Sequence, residues 1–295
     1  MSMPAELPAD RREDFLARVR RLPSATLLHI PIDQRERHAL ILAGLLDRMS
    51  EGDADACMLE EARSKLLLGP IARGSNLRVE LAKRLRIWQE EPFVELLVCA
   101  EEQQRESVRH RSALRGAATH GARARRARHL ISEGAYSKAT SSLHTETADL
   151  DEEAQIHWGT TLLPCSSRPA EALAPASDIS TAVAEEDEAA PKYALKGVRF
   201  RAMSAAGPSG ARPEHLRELV AVRDRRVSNA LLSAIGKFAS AAAAGELPGA
   251  ARWILDSRLV FLRKKRGAAP RPIRVGELWR RVVAKRMLDD SRSKI

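Results

Sequence analysis

The chain is short of cysteine and of aromatic residues. Cys57, Cys99 and Cys165 are the only cysteines in 295 residues, too few and too scattered for a disulfide framework or a four-ligand zinc site. A reducing, intracellular setting is therefore expected. No apolar run approaches the roughly 18 residues a membrane span needs, and the N-terminus mixes prolines with charges and lacks an apolar core. Membrane spanning and secretion are disfavoured, and a soluble protein is expected. Gly207 to Gly210 is too short for a Walker loop and lacks the Gly-Lys-Ser/Thr ending. His157 with Cys165 has nothing beside it to suggest a nucleophile and its base. His110, His120 and His129 have no partners at ligand spacing, so no metal site is expected.

Positive charge is abundant. Forty-nine Lys and Arg stand against 39 Asp and Glu, giving a net charge of +10, which puts polyanions first among partners. Apolar positions recur at helical spacing in four stretches: Phe15 to Leu22, Leu40 to Leu46, Cys57 to Leu68, and Asn76 towards Cys99. Pro31 separates the first two, Asp33 is placed to cap the second, and Gly52-Asp53 and Gly69-Pro70 supply further breaks. Residues 1–104 are thus expected to be a helical region.

Residues 105–144 follow as a basic linker or exposed helix. Eight arginines fall between Arg105 and Arg128 against one acid, Glu106, with no aromatic interleaved to stack a base. The sign then reverses, with eleven acids and one base over 145–190 in an Ala-, Ser- and Pro-rich context. Residues 145–196 are expected to be a disordered or loose acidic linker containing a domain boundary. Helical spacing returns at Pro213 to Val220 and at Asn229 to Ala244, the latter stopped by Gly245. Two short apolar runs, Arg258 to Arg263 and Arg271 to Val275, read as a β-hairpin, and a helical stripe follows Glu277. The fold class expected is mainly α, closing in a small α+β subdomain. Trp88, Trp158, Trp253 and Trp279 are expected in the core or at its boundary.

Twelve bases and two acids, Asp256 and Glu277, lie between Arg252 and Arg286. Cations held on a hairpin can grip phosphates through charge-assisted hydrogen bonds. Arg263, Lys264, Lys265 and Arg266 would occupy the tip, Arg271 would open the return strand, and Arg274, Arg280, Arg281 and Lys285 extend the cluster.

The succession Gly207-Pro208-Ser209-Gly210-Ala211-Arg212-Pro213, Gly245-Glu246-Leu247-Pro248, Leu259 to Lys265, Arg271-Pro272-Ile273-Arg274-Val275 and Arg280-Arg281-Val282-Val283-Ala284-Lys285 resembles the fingers of reverse transcriptases of the non-LTR retrotransposon type. It covers roughly 197–288, within a fingers-like subdomain expected over 197–295, and weaker likenesses touch Leu28-His29-Ile30-Pro31 and Gly134 to Ala139. The resemblance implies that Lys264, Lys265 and Arg271 contact template or nucleotide phosphates, and that Gly207 and Gly210 shape a loop. It also implies RNA or DNA backbone as partner. Arg263 stands where many members have proline, and Ser209 where aspartate is frequent.

Nucleotidyl transfer needs palm carboxylates that hold two Mg²⁺ ions, and no catalytic residue is assigned here. Met287-Leu288-Asp289-Asp290 mimics the family's aspartate pair but continues a basic helical pattern. Mg²⁺ is expected only of an intact polymerase, and no cofactor of this chain. The resemblance thus implies a truncated reverse transcriptase-like protein with its fingers and without its palm. A scaffold or stand-alone basic helical RNA-binding protein is the alternative, and exposure of Leu278 and Val282 is expected if a packing partner is missing.

Overall fold

The computed structural model describes residues 9–71, 74–90, 94–114, 127–128, 131, 153, 195, 198–200, 204–262 and 270–292. The chain divides into two compact units. One comprises Met1–Ala122, Glu188–Arg258 and Val275–Ile295, and the other Arg123–Asp187 with Leu259–Arg274. Among the described residues the structure is mostly helical with one small two-stranded antiparallel sheet. No described helix is long and apolar enough to cross a membrane.

The first unit opens with α1 (Ala9–Arg21), α2 (Ile32–Ser50), α3 (Ala54–Leu68), α4 (Leu77–Glu90) and α5 (Val94–Leu114). Asp53 caps α3, its side chain accepting from the backbone N–H groups of Asp55 and Ala56. Asp33 does not cap α2. That position belongs to Pro31, and Asp33 sits in the first turn, where its negative charge suits the helix dipole. The stretch from Asn76 to Cys99 is two helices rather than one, because α4 ends at Glu90 and α5 starts at Val94. The basic stretch begins inside α5, which runs on to Leu114; most of 105–144 and 145–196 lies outside the described residues.

The later part contributes α6 (Pro213–Val220), α7 (Arg225–Ala244), a 3₁₀ helix (Gly249–Leu255), strands β1 (Ser257–Leu262) and β2 (Arg271–Gly276), and α8 (Leu278–Arg292). Asp224 caps α7, which starts a turn before Asn229, and Gly245 ends it in the left-handed conformation at φ 76°. Helices α1 to α8 and the 3₁₀ helix contribute to one core. The most extensive helix pairing is α2 on α7, and α3 packs against α2, α4, α5 and the 3₁₀ helix. Leu42, Leu45 and Met49 of α2 and Leu231, Ile235 and Phe238 of α7 are among the fully buried members of this cluster.

Burial of Leu278 and Val282 corrects the expectation that they are exposed. They are 2% and 0% accessible because the helical core covers this face of α8. The exposed apolar residues of α8 are Met287 and Leu288. Trp88, Trp253 and Trp279 are core residues; Trp158 lies outside the described residues.

Every residue of α3 from Ala56 to Leu68 is buried, its charged side chains included. Each charge has a partner. Arg63 donates to both oxygens of Glu60 at 2.5 and 3.1 Å, Arg20 to both oxygens of Glu61 at 2.6 and 3.0 Å, and the Lys65 ammonium to the Val19 carbonyl at 2.9 Å. Trp279 Nε1–H also donates to Glu60, at 2.9 Å, and its ring meets Phe238 edge-on at 5.2 Å.

Candidate nucleic-acid interface

The loop before α6 folds as the turn chemistry of Gly-Pro-Ser-Gly dictates. Pro208 takes the second position, and the Gly210 N–H donates to the Gly207 carbonyl at 3.1 Å. Gly210 has φ +83°, which a side chain would disfavour. Gly207 and Gly210 are the first and last residues of this turn.

The loop is held on one side by Glu277, at the N-terminal end of α8. Ser209 donates to it twice, from its backbone N–H and from its hydroxyl, each at 2.7 Å. Burial pushes the Glu277 carboxyl up to about 7, against the pull of those two hydrogen bonds. An aspartate at position 209 would set a second carboxylate against this one, so the serine suits its partner.

Residues 22–31 stitch the other side. Ser24 Oγ donates to the Pro208 carbonyl at 2.9 Å, Thr26 Oγ1 to the Gly210 carbonyl at 2.7 Å, and His215 Nε2 meets the Leu27 carbonyl at 2.7 Å. Glu218 of α6 accepts from the Ile30 N–H at 2.8 Å and pairs with His29 and Arg35. The Leu28-His29-Ile30-Pro31 motif and the Gly-Pro-Ser-Gly loop thus belong to one hydrogen-bonded assembly.

Of the cations singled out from sequence, Arg281 and Lys285 are brought together. One helical turn apart on α8, they lie over the Phe200 ring, with the Arg281 guanidinium carbon 5.2 Å and the Lys285 nitrogen 5.5 Å from its centroid. Burial draws the Arg281 guanidinium below the usual arginine value, while Glu277 and Glu214 oppose it. Arg281 Nη2 donates to the Ala205 carbonyl at 3.4 Å, and its Nε has no partner. Arg280 is exposed and donates to the Leu255 carbonyl at 3.1 Å. Arg271 and Arg274 of β2 are both exposed but an odd number of residues apart, so they project to opposite faces of the strand. Arg263, Lys264, Lys265 and Arg266 lie outside the described residues.

Asp289 and Asp290 lie within α8, and among the described residues no group of three or more His, Cys, Asp or Glu side chains is placed to hold a metal ion. Sequence reasoning passed over Phe200, Glu214, Glu218 and Glu277. The usable signal was Glu277 itself, one of two acids among twelve bases. Glu214 and Glu218 carry an i, i+4 signal on α6, where both carboxylates turn inward.

Comparison with protein families, curated proteins and solved structures finds no match for this chain.

Proposed function

We propose that this chain is a reverse transcriptase-like polypeptide of retroelement type whose role is to grip nucleic-acid backbone through fingers-like elements rather than to transfer nucleotides. The observation that carries the reading is the joining of the Gly207–Gly210 loop to Glu277, between the Arg-Pro-Ile strand and the basic helix that follows it. Two motifs 68 residues apart in sequence, on which the resemblance rests, are one structural assembly. The net charge of +10 supports an anionic partner.

The test is binding of the full chain to a primer–template duplex over a range of salt. Each phosphate contact contributes about 0.9 to the slope of log affinity on log salt. Charge reversal at Lys264, Lys265 and Arg271 together is expected to flatten that slope by up to about 3. An unchanged slope, with binding abolished instead by reversing the arginines of 105–128, removes the fingers reading. One observation favours the second reading, a self-contained basic helical RNA-binding or scaffold protein. Leu278 and Val282 are covered by the chain's own helices, so the face of α8 that carries them is already packed.

A further inference from the structure

We propose that residues 22–31 form an acid-released latch on α6, with the His215 ring as its trigger. This segment links α1 to α2 and holds neither helix nor strand. The Leu27 peptide is clamped from both sides. Its N–H donates to the Leu68 carbonyl at 2.8 Å, and its carbonyl meets His215 Nε2 at 2.7 Å. Arg212 Nε donates to Thr26 Oγ1 at 3.2 Å, and the Ile30 N–H to Glu218 at 2.8 Å, so polar contacts to α6 and its N-terminal flank run the length of the segment.

A carbonyl only accepts, so Nε2 carries the ring proton and Nδ1 the lone pair. His215 is 2% exposed, and its Nδ1 is buried with no hydrogen-bond partner. A second proton would sit on an atom that has no acceptor to meet it. It would also add a cation to a cluster that already holds Arg63 of α3 and Arg212, with His38 of α2 within reach of the same charges. Burial draws the His215 value down to about 3; the Leu27 carbonyl resists, and Arg63, Arg212 and His29 add to the fall. Release of residues 22–31 hydrates the ring and returns it towards its ordinary 6.5. The contribution of neutral His215 to the closed latch is therefore fully present above 6.5 and is lost as pH falls towards 3.

The remaining charged groups around this junction do not supply the trigger. Glu60 is committed to Arg63, and Arg35 to Glu218. A proton on His29 strengthens its 2.6 Å contact with Glu218 and so resists release. Glu214 is the sequence neighbour of His215 and carries the opposite charge. The face that α7 buries has no charged side chain. Glu277 holds the Gly207–Gly210 loop more firmly as pH falls, the opposite sense. Acid therefore acts on the latch through the buried histidines, and the inference stands whichever partner the chain binds.

The experiment is hydrogen exchange of the full chain, read by mass spectrometry at pH 7.5 and 5.5 and corrected for the intrinsic pH dependence of exchange. A histidine that moves from about 3 to 6.5 on opening favours the open state by about tenfold more at pH 5.5 than at pH 7.5. Protection over 22–31 and 213–220 is expected to fall by at least that factor, while 231–239 of α7 keeps its protection. Equal protection of 22–31 at the two pH values overturns the proposal, and so does a parallel loss over 231–239, which marks global unfolding. Both comparisons use wild type alone. His215→Gln keeps an N–H for the Leu27 carbonyl and cannot titrate, so its protection over 22–31 is expected to be the same at both pH values. Persistence of the tenfold change in that variant would assign the trigger to another group and overturn the role of His215.

Discussion

Gly207 lies against Glu277 so closely that a methyl group on it would stand 2.8 Å from both the Glu277 Cα and its Oε2. The backbone of one motif is therefore packed onto the backbone of another, and hydrogen bonds from Ser209 fasten the contact. Gly207→Ala must push these segments apart.

Gly207→Ala and Gly210→Ala are expected to destabilise the first unit by about 1–3 kcal/mol each. The causes differ. At Gly210 the added methyl meets Thr26 Cγ2 at 2.7 Å and the backbone has φ +83°, whereas at Gly207 the obstacle is Glu277. Chemical denaturation checks both, with Gly249→Ala, where nothing lies within 4 Å, as the neutral control. Equal stability of all three variants would contradict the close packing.

Glu277 makes stability fall as pH rises. Its folded value of about 7 lies above the ordinary 4.5, so its contribution is fully present below about 4.5 and is lost as pH climbs through 7. At 1.36 kcal/mol per pH unit the loss is about 3 kcal/mol. Glu277→Gln keeps an acceptor for the Ser209 N–H and removes the titration. The difference between wild-type and variant melting temperatures should change over pH 4.5–7, and parallel curves would refute the assignment.

His38 is fully buried in α2, and neither ring nitrogen has a hydrogen-bond partner. Burial, aided by Arg63 and His215, lowers its value to about 3. This histidine is therefore neutral in the fold, and its contribution, present above 6.5, is lost as pH falls towards 3. His38→Leu removes two unpaired polar atoms at similar size and should stabilise the protein by about 1–3 kcal/mol at pH 7. The gain should grow by about 2 kcal/mol at pH 5. A variant less stable than wild type at both values would show that the imidazole has a partner.

The Glu60–Arg63 pair should behave as a unit. Arg63→Met alone strands a carboxylate that is 1% exposed and should cost about 3–5 kcal/mol. Adding Glu60→Gln should restore part of that loss, because the glutamine can still accept from Trp279 Nε1–H. Trp279→Phe, which keeps a ring beside Phe238, should cost about 1.5–3 kcal/mol for the hydrogen bond to Glu60. Urea denaturation of wild type, Arg63→Met, Glu60→Gln and the double variant measures the coupling, and strict additivity would exclude it.

Much of this fold was legible because apolar spacing and turn residues act locally. Leu231, Ile235 and Phe238 marked the buried face of α7, Gly245 marked its end, and two short apolar runs, Arg258 to Arg263 and Arg271 to Val275, marked the hairpin. What escaped depends on contacts distant in sequence. The burial of Leu278 and Val282 rests on the packing of α8 against α7 and the 3₁₀ helix, which no local spacing announces. The charges of α3 lower its apolar contrast, so its position in the middle of the core, set by Arg20, Val19 and Trp279, could not be read from its own spacing. At the candidate site the exposed cations of β2 were legible as charge. Glu214 was not, because a glutamate next to a helix-starting proline ordinarily faces water.

The pairing of α2 with α7 has a consequence for synthesis. Lys237 on α7 meets Asp47 on α2 at 3.2 Å, 190 residues apart. A ribosome adding about 5–20 residues per second takes on the order of ten seconds or more to cover that interval. Throughout it the apolar flank of α2 is finished but uncovered, a surface suited to holdase chaperones or to misassociation. Closing so long a loop adds an entropic toll that grows only logarithmically with its length. The hazard of this topology is thus one of time more than of free energy, and slowed translation over 51–236 should lower the soluble yield.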